Sequence, residues 1–119
     1  MFDHVGIAVK DLARSVAFYE KTLAPLGYVL CSSDAGGAGF GPKGAPALWL
    51  TLAKGAVTAA HVAFRAKEHR SVQAFHAAGL AAGGLDNGPA GPRPNYGPSY
   101  FAAFLLDPDG NNVEAVCLA

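Results

Sequence analysis

The sequence predicts an α+β fold: a single domain, residues 1–119, in which two tandem βαβββ modules form a cupped mixed sheet. Three observations predict this fold. The length is that of one domain, the two halves repeat one another, and in each half apolar residues first alternate as in a strand and then recur as on a helix face. The boundary between the halves gives modules of about 1–55 and 56–119.

The internal repeat becomes visible when the chain is aligned with itself at an offset of 57 residues. Residues 4–28 then align with 61–85 without a gap, and eight pairs are identical. The matches include His, Phe and Lys, which chance would seldom align in a chain rich in Ala and Gly. The identical pairs are His4/His61, Val5/Val62, Lys10/Lys67, Ala17/Ala74, Phe18/Phe75, Leu23/Leu80, Ala24/Ala81 and Gly27/Gly84.

Each module begins with a strand that is followed by a helix. Alternating apolar residues predict strands at 3–9 and 60–66, and helical periodicity predicts helices at about 11–24 and 68–82. Asp11 is placed to cap the first helix, because its carboxylate can accept hydrogen bonds from free backbone N–H groups. The apolar stripe of that helix is expected to consist of Leu12, Val16, Tyr19 and Leu23.

Short apolar runs between turns predict the remaining strands. In the first module these runs are YVLCS, AGGAGFG and ALWLTLA, and in the second they are SYFAAFLL and NNVEAVC. One helix per module covers only one face of such a sheet, so we expect the other face to line a cavity or to meet another subunit.

Charge and cysteine content narrow the functional classes. Nine Lys and Arg residues balance nine Asp and Glu residues without a basic cluster, which argues against binding to nucleic acid or to a membrane. Cys31 and Cys117 are too few and too far apart to indicate a disulfide framework or a CxxC site. We therefore expect free thiols in a soluble cytoplasmic protein.

Each of the two repeated histidines is the first residue on a strand face that carries few large apolar side chains. His4 shares its face with Gly6 and Ala8, and His61 shares its face with Ala63 and Arg65. Side chains alternate between the two faces of a strand, so little apolar bulk lies in front of either imidazole. A histidine of the apolar core would normally be surrounded by larger side chains.

Glu114 places a carboxylate inside the apolar run NNVEAVC, on the face opposite Val113 and Ala115. Such a carboxylate is costly unless it is paired or binds a cation. Two imidazoles and one carboxylate can form a facial triad that holds a divalent metal and leaves coordination positions open. We therefore predict His4, His61 and Glu114 as metal ligands. A single histidine at a strand start is more often a hydrogen-bonded residue, and the duplication is what favours the metal.

Other patterns are weaker. The run GFGPKG fits GxGxxG, but a strand-like run follows it, which argues against a dinucleotide site. The segment DPDG, 107–110, is expected to be a hairpin turn rather than a calcium loop. The proline-rich stretch 87–100 carries Arg93, Asn95, Tyr96 and Tyr100. It is either a rigid surface connection or a lid that offers a cation and phenols to an anionic substrate. His69 and His76 are expected to be exposed helix residues without a role.

Several stretches together resemble the vicinal oxygen chelate superfamily, which includes glyoxalase I, fosfomycin-resistance transferases, extradiol dioxygenases and bleomycin-resistance proteins. They are DHVGIAVKDLARSVAFYEKTLAPLGY, ALWLTLAKG, HVAF and DPDGNNVEAV, and they extend over nearly the whole chain. The resemblance implies a cupped sheet around a divalent metal, with Mn, Fe, Ni and Zn not distinguished. It also implies a homodimer in which the modules of one site can come from different chains.

Transferred by position, the resemblance implies that His4, His61 and Glu114 are the metal ligands. Trp49 stands at the repeat-equivalent position of Glu114, where glyoxalase I enzymes carry a Glu that acts as ligand and base. The implied chemistry is therefore that of a lyase, transferase or dioxygenase rather than the isomerisation that glyoxalase I catalyses. Fosfomycin-resistance transferases, however, carry a threonine where Gly6 stands.

Three functional hypotheses follow. The first is a metal-dependent enzyme that acts on a small oxygen-bearing substrate, with no catalytic acid or base identified. The second is a non-enzymatic binder that resembles bleomycin-resistance proteins, and the third, a purely structural module, leaves the paired histidines unexplained. Trp49 and Phe104 are expected to form apolar walls around the substrate, and Arg93, Tyr96 and Tyr100 are expected to contact it.

Overall fold

The computed structural model describes residues 1–119 and contains eight strands, two α-helices and one short 3-10 helix. Each half has the strand–helix–three-strand order that the repeat predicts. Neither helix is long and apolar enough to cross a membrane. The elements are β1 Val5–Val9, α1 Leu12–Leu23, the 3-10 helix Ala24–Leu26, β2 Val29–Ser33, β3 Gly37–Gly41, β4 Leu48–Leu52, β5 His61–Arg65, α2 His69–Ala81, β6 Leu85–Pro92, β7 Phe101–Leu106 and β8 Asn112–Cys117.

The strands form two four-stranded mixed sheets, one in each module, as predicted. Their orders are β1-β4-β3-β2 and β5-β8-β7-β6, and the pairs β1–β4 and β5–β8 are parallel. Gly6 lies opposite Trp49 in the first sheet, and Ala63 lies opposite Glu114 in the second. The register therefore confirms that Trp49 and Glu114 occupy equivalent positions. Within one chain the two sheets are not hydrogen-bonded to each other.

Helix α1 begins and ends as its sequence predicts. The side chain of Asp11 accepts a hydrogen bond from the N–H of Arg14, which caps the first turn. Gly27, with a φ of 86°, ends the 3-10 helix that follows. A left-handed φ strains any residue with a Cβ, so glycine suits this position. The predicted apolar stripe is only partly correct, since the fully buried residues of this helix are Ser15, Phe18, Tyr19, Thr22 and Leu23.

The helices cover the sheets and pack against each other. Helix α1 contacts β2, β3 and β4, and α2 contacts β6, β7 and β8. A Cβ at Gly79 of α2 would collide with Leu105 and lie 3.4 Å from Thr22 of α1, so glycine permits this close packing. The largest buried side chains each contribute roughly 1.5–3 kcal/mol through burial. They include Phe18, Tyr19, Phe40, Phe75 and Leu105.

A buried hydrogen-bond network ties the first helix to the second module. The hydroxyl of Tyr19 donates to Oδ2 of Asp107 at 2.5 Å, and Nδ2 of Asn111 donates to the same oxygen at 2.8 Å. Burial, with Asp107 and Asp109 close by, raises the pKa of Tyr19 far above its ordinary value, so the phenol remains a donor. The DPDG segment is the predicted turn, and its carboxylates hold the two modules together.

Strand β6 corrects the prediction for residues 87–100. We expected a proline-rich connection, but residues 85–92 form a strand paired with β7, and only residues 93–100 form a connection. The pairing contains irregularities between Asp86 and Gly88 and between Gly88 and Gly91. Because prolines cannot donate to a strand ladder, this bulged edge strand is a place where they are tolerated.

The prediction for His76 is also wrong in part. Its side chain is only 14% exposed, and Nε2 lies 2.9 Å from Oδ1 of Asp86. His76 is the repeat-equivalent of Tyr19, yet it pairs within its own module. His69 is exposed as expected and stacks on Phe101 with ring centroids 3.9 Å apart.

Candidate metal and substrate site

The core of the candidate site is a contact between His61 and Glu114. His61 begins β5, and Glu114 lies on the parallel neighbour β8, paired with Ala63. The two side chains therefore project from the same face, two positions apart along β5. Nε2 of His61 lies 2.7 Å from Oε1 of Glu114, and the Glu114 side chain is only 2% exposed. The structure thus brings two of the three predicted metal ligands together.

Tyr100 contacts the other carboxylate oxygen. Its hydroxyl donates a hydrogen bond to Oε2 of Glu114. Burial, together with this hydrogen bond and the charge of Glu114, raises the pKa of Tyr100 to about 12. The phenol is therefore protonated at neutral pH and able to donate. Both oxygens of Glu114 have a partner, which explains how a carboxylate is accommodated inside an apolar strand.

These residues line an open polar pocket of about 720 Å³. Phe104 forms one apolar side, with its ring centroid 6.3 Å from that of His61. Tyr96 packs edge-to-face against Tyr100 at a centroid distance of 5.3 Å. A pocket with aromatic walls and a few convergent polar groups is typical of a small-molecule site. Its lining consists of His61, Asn95, Tyr96, Tyr100, Phe104, Asn112 and Glu114.

His4 lies in the first module and does not line this pocket. Its side chain is 56% exposed, and Nδ1 lies 2.7 Å from Oδ1 of Asp3. A hydrogen bond from Nδ1 to a carboxylate leaves Nε2 with a free lone pair, which is the arrangement common to metal-binding histidines. Within a single chain no group of three His, Cys, Asp or Glu side chains is close enough to hold a metal.

Trp49 also lies outside the pocket, on the uncovered face of the first sheet. Its ring lies over Gly39, where a Cβ would be only 2.6 Å from Cζ3 of the indole. Gly39 therefore provides the space that the ring occupies. In the first module an aromatic surface stands where the second module has a carboxylate.

Arg93 lies next to the pocket rather than in its lining. Its Nη1 donates to the carbonyl of Gly91 at 2.9 Å, and its Nη2 donates to the carbonyl of Pro89 at 2.7 Å. The guanidinium carbon also lies 5.4 Å from the centroid of the Phe104 ring. These contacts direct the cation toward the protein backbone.

Sequence reasoning did not assign a role to Asn95 or Asn112, which both line the pocket. A signal for Asn112 was present, because strand alternation places it on the same face as Glu114. Its Oδ1 accepts a hydrogen bond from Nδ2 of Asn87 at 3.2 Å. No comparable periodicity exists for Asn95, since it lies in the connection between β6 and β7.

A second, apolar pocket of about 300 Å³ lies where the two modules meet. Val5 of β1 and Phe64 of β5 are among its lining residues. Across this junction the hydroxyl of Tyr28 donates to the carbonyl of Arg65 at 2.8 Å. The pocket therefore lies beside β1 and β5, which are edge strands of their respective sheets.

The chain is similar to several proteins of known structure. A glyoxalase/bleomycin resistance protein from Albidiferax ferrireducens T118 is 31% identical, with 98% of each chain covered and a TM-score of 0.85. The V278E glyoxalase I mutant from Zea mays is 29% identical and has a TM-score of 0.74, but the 97% of this chain that aligns covers only 45% of the maize chain.

A third structure shares the fold at lower identity. A glyoxalase/bleomycin resistance protein/dioxygenase family enzyme from Burkholderia phytofirmans PsJN is 16% identical, with 98% of each chain covered and a TM-score of 0.75. No family model matches the sequence, and no curated protein matches it.

Proposed function

We propose a function from one premise: the chain belongs to the glyoxalase/bleomycin resistance protein family, within the vicinal oxygen chelate superfamily. The proposal is a metal-dependent enzyme whose substrate is a small molecule that binds a divalent metal through its oxygens. The observation that carries it is the contact of 2.7 Å between Nε2 of His61 and Oε1 of Glu114 at the wall of an open pocket.

The donor atoms fit a divalent metal. An imidazole nitrogen and a carboxylate oxygen face each other, and these are ligands that Zn, Mn, Fe and Ni accept in proteins. His4 supplies a third donor whose Nδ1 contacts Asp3, which leaves its Nε2 available. When bound, the metal would act as a Lewis acid on the substrate oxygens and stabilise negative charge that develops there. Glu114 and the two histidines would hold the metal and orient it toward the pocket.

A homodimer would explain why His4 does not line the pocket of its own chain. In this proposal the partner's His4 completes the site formed by His61 and Glu114 of one chain. Support comes from the edge strands β1 and β5, whose outer backbone groups have no strand partner, and from the apolar pocket beside them. Exposed strand edges readily pair with another chain, and a twofold arrangement would form two equivalent sites.

The pocket lining indicates how a substrate would be held. Tyr96 and Phe104 offer apolar surface, whereas Asn95 and Asn112 offer amide groups that can donate and accept hydrogen bonds. In the proposed dimer, Trp49 of the partner subunit would provide a further aromatic wall. Because tryptophan replaces the second carboxylate, lyase, transferase or dioxygenase chemistry is favoured over glyoxalase I isomerisation.

A second candidate function is metal-free binding of a small molecule. The observation that favours it is that His61, Glu114 and Tyr100 already satisfy one another through hydrogen bonds. The aromatic lining would then hold an apolar or aromatic ligand without any reaction.

The metal content of tag-free, chelator-free protein, measured by elemental mass spectrometry, tests the proposal. We expect one divalent metal per chain in the wild type and none in His61→Ala. The matched control is His76→Ala, which removes another histidine–carboxylate contact, outside the pocket, and should retain the metal. Iron would indicate dioxygenase chemistry, whereas manganese, nickel or zinc would indicate transfer or isomerisation. A folded wild type that takes up no added divalent ion would contradict the proposal and leave the metal-free binder as the better candidate.

A further inference from the structure

The connection between β6 and β7, residues 93–100, carries three of the seven pocket residues and is closed by Arg93. The backbone N–H of Arg93 donates to the carbonyl of Tyr100 at 2.7 Å, which joins the two ends. The carbonyl of Arg93 accepts hydrogen bonds from the N–H groups of Tyr96 at 2.9 Å and Gly97 at 3.3 Å. The backbone of Arg93 therefore fixes the loop from which Tyr100 reaches Glu114.

The guanidinium of Arg93 replaces hydrogen bonds that the bulged strand β6 lacks. Between Gly88 and Gly91 the pairing with β7 is interrupted, and Nη2 donates to the carbonyl of Pro89 within this interval. Nη1 donates to the carbonyl of Gly91 at 2.9 Å and to that of Pro92 at 3.4 Å. Backbone carbonyls without a partner are costly, so a planar cation with several donors is well suited to this place.

The space for this guanidinium is provided by glycine. A Cβ at Gly88 would lie 3.2 Å from Nη2, and one at Gly91 would lie 3.4 Å from Nη1. On the other side the guanidinium carbon lies 5.4 Å from the centroid of the Phe104 ring, which itself faces His61. Arg93 thus contacts Tyr100, which bonds Glu114, and Phe104, which lies beside His61. Its own side chain does not line the pocket.

We propose that Arg93 is a positioning residue, which holds the loop 93–100 so that Tyr100 remains hydrogen-bonded to Oε2 of Glu114. Oε1 is then directed toward His61. On the proposed function, this arrangement presents Oε1 and Nε2 of His61 together to the metal. Loss of such an outer partner typically lowers metal affinity by roughly 10–100-fold.

A metal-free measurement tests the positioning role by itself. We expect Arg93→Ala to increase hydrogen–deuterium exchange in residues 93–100 while exchange in α1 remains unchanged. Arg93→Lys keeps the charge but loses the planar fork, so it should restore protection only in part. The control is Arg70→Ala, because Arg70 is exposed and pairs with Glu68 outside the pocket. Exchange in 93–100 that is the same in wild type and Arg93→Ala would overturn the proposal.

A double-mutant cycle tests the connection to Glu114, with Zn²⁺ and Mn²⁺ as the probes in titration calorimetry. Arg93→Ala and Tyr100→Phe should each weaken metal binding by roughly 10–100-fold, and the double variant should lose little more than either one. Additive losses would overturn the claim that Arg93 acts through Tyr100. A wild type that binds neither metal would instead contradict the proposed function, and the exchange measurement would then decide the role of Arg93.

Discussion

The uncovered faces of the two sheets differ in composition although their strands are equivalent. In the first module Trp49 lies opposite Gly39, and in the second module Glu114 lies opposite Phe104. In the second module the large aromatic group, Phe104, lies on the neighbouring strand, and a carboxylate occupies the position of Trp49. The comparison shows how a duplicated scaffold becomes asymmetric: one module carries an aromatic surface and a single histidine, whereas the other carries the charged group and the pocket.

Mixing two defective variants would test most strongly whether the two faces act together across a dimer. His4→Ala and His61→Ala should each fail to hold stoichiometric metal. After the two variants are refolded together, their heterodimers should regain one intact site. In that site the His4→Ala chain provides His61 and Glu114, and the His61→Ala chain provides His4. The measurement is metal content of the separated heterodimer.

The matched control for this experiment is a mixture of His61→Ala with itself. If the three ligands come from one chain, no combination of these two variants can restore a site. Metal-free heterodimers would therefore show that the two faces do not form a metal site together across a dimer.

Gly39→Ala should disturb the aromatic face of the first module alone. Its Cβ would lie 2.6 Å from Trp49, so the indole must move, at an expected cost of roughly 1–3 kcal/mol in the free energy of unfolding. Trp49 is the only tryptophan, so its fluorescence reports the movement directly. Urea denaturation gives the stability.

The control for this substitution is Gly55→Ala, because no atom lies within 4 Å of a Cβ at Gly55. It should leave fluorescence and stability close to those of the wild type. Unchanged tryptophan emission in Gly39→Ala would show that the ring does not rest against this glycine.

The smallest expected effect concerns Asp86, which pairs with His76, the repeat-equivalent of Tyr19. Hydrogen bonds from the N–H of Gly88 and from His76 hold the pKa of Asp86 below its ordinary value of 3.8. A lowered pKa in the folded state stabilises the fold above pH 3.8, and this contribution is lost as the pH falls through the folded-state value. Asp86→Asn should therefore be slightly less stable than wild type at pH 7 and equally stable well below pH 3.8.

Urea midpoints at several pH values measure this difference. Glu20→Gln serves as the control, since Glu20 is exposed on α1. A stability difference between Asp86→Asn and wild type that does not vary with pH would contradict the assigned cause.

Much of the fold follows from local patterns. The internal repeat predicts the equivalence of Trp49 and Glu114, and the strand register confirms it. The two predicted ligands His61 and Glu114 lie in contact in the structure. Strand β6 was missed because Gly88, Pro89 and Pro92 have the composition of a loop. That strand depends on its partner β7 and on Arg93, and such tertiary contacts leave no periodic signal in the sequence.

The site is less predictable than the fold. The role of Arg93 depends on which carbonyls lack a partner, and this is known only when the bulges of β6 are known. The repeat identifies His4 as a candidate ligand, but on the proposed function a second chain would bring it to the pocket, and the pairing of two chains leaves no periodic signal in the sequence.

The four edge strands are not equally protected. The outer pair, β2 and β6, contain bulges, and β6 also contains prolines, and both features discourage further strand pairing. By contrast, β1 and β5 pair in regular register with their neighbours and contain no bulge. If β1 of each copy paired with β5 of the other, the β1 and β5 edges of both copies would be used. Only the bulged edges of β2 and β6 would then remain exposed. A chain held as a monomer would expose both edges, so we expect a variant that blocks the pairing of β1 with β5 to aggregate more readily than the wild type at the same concentration.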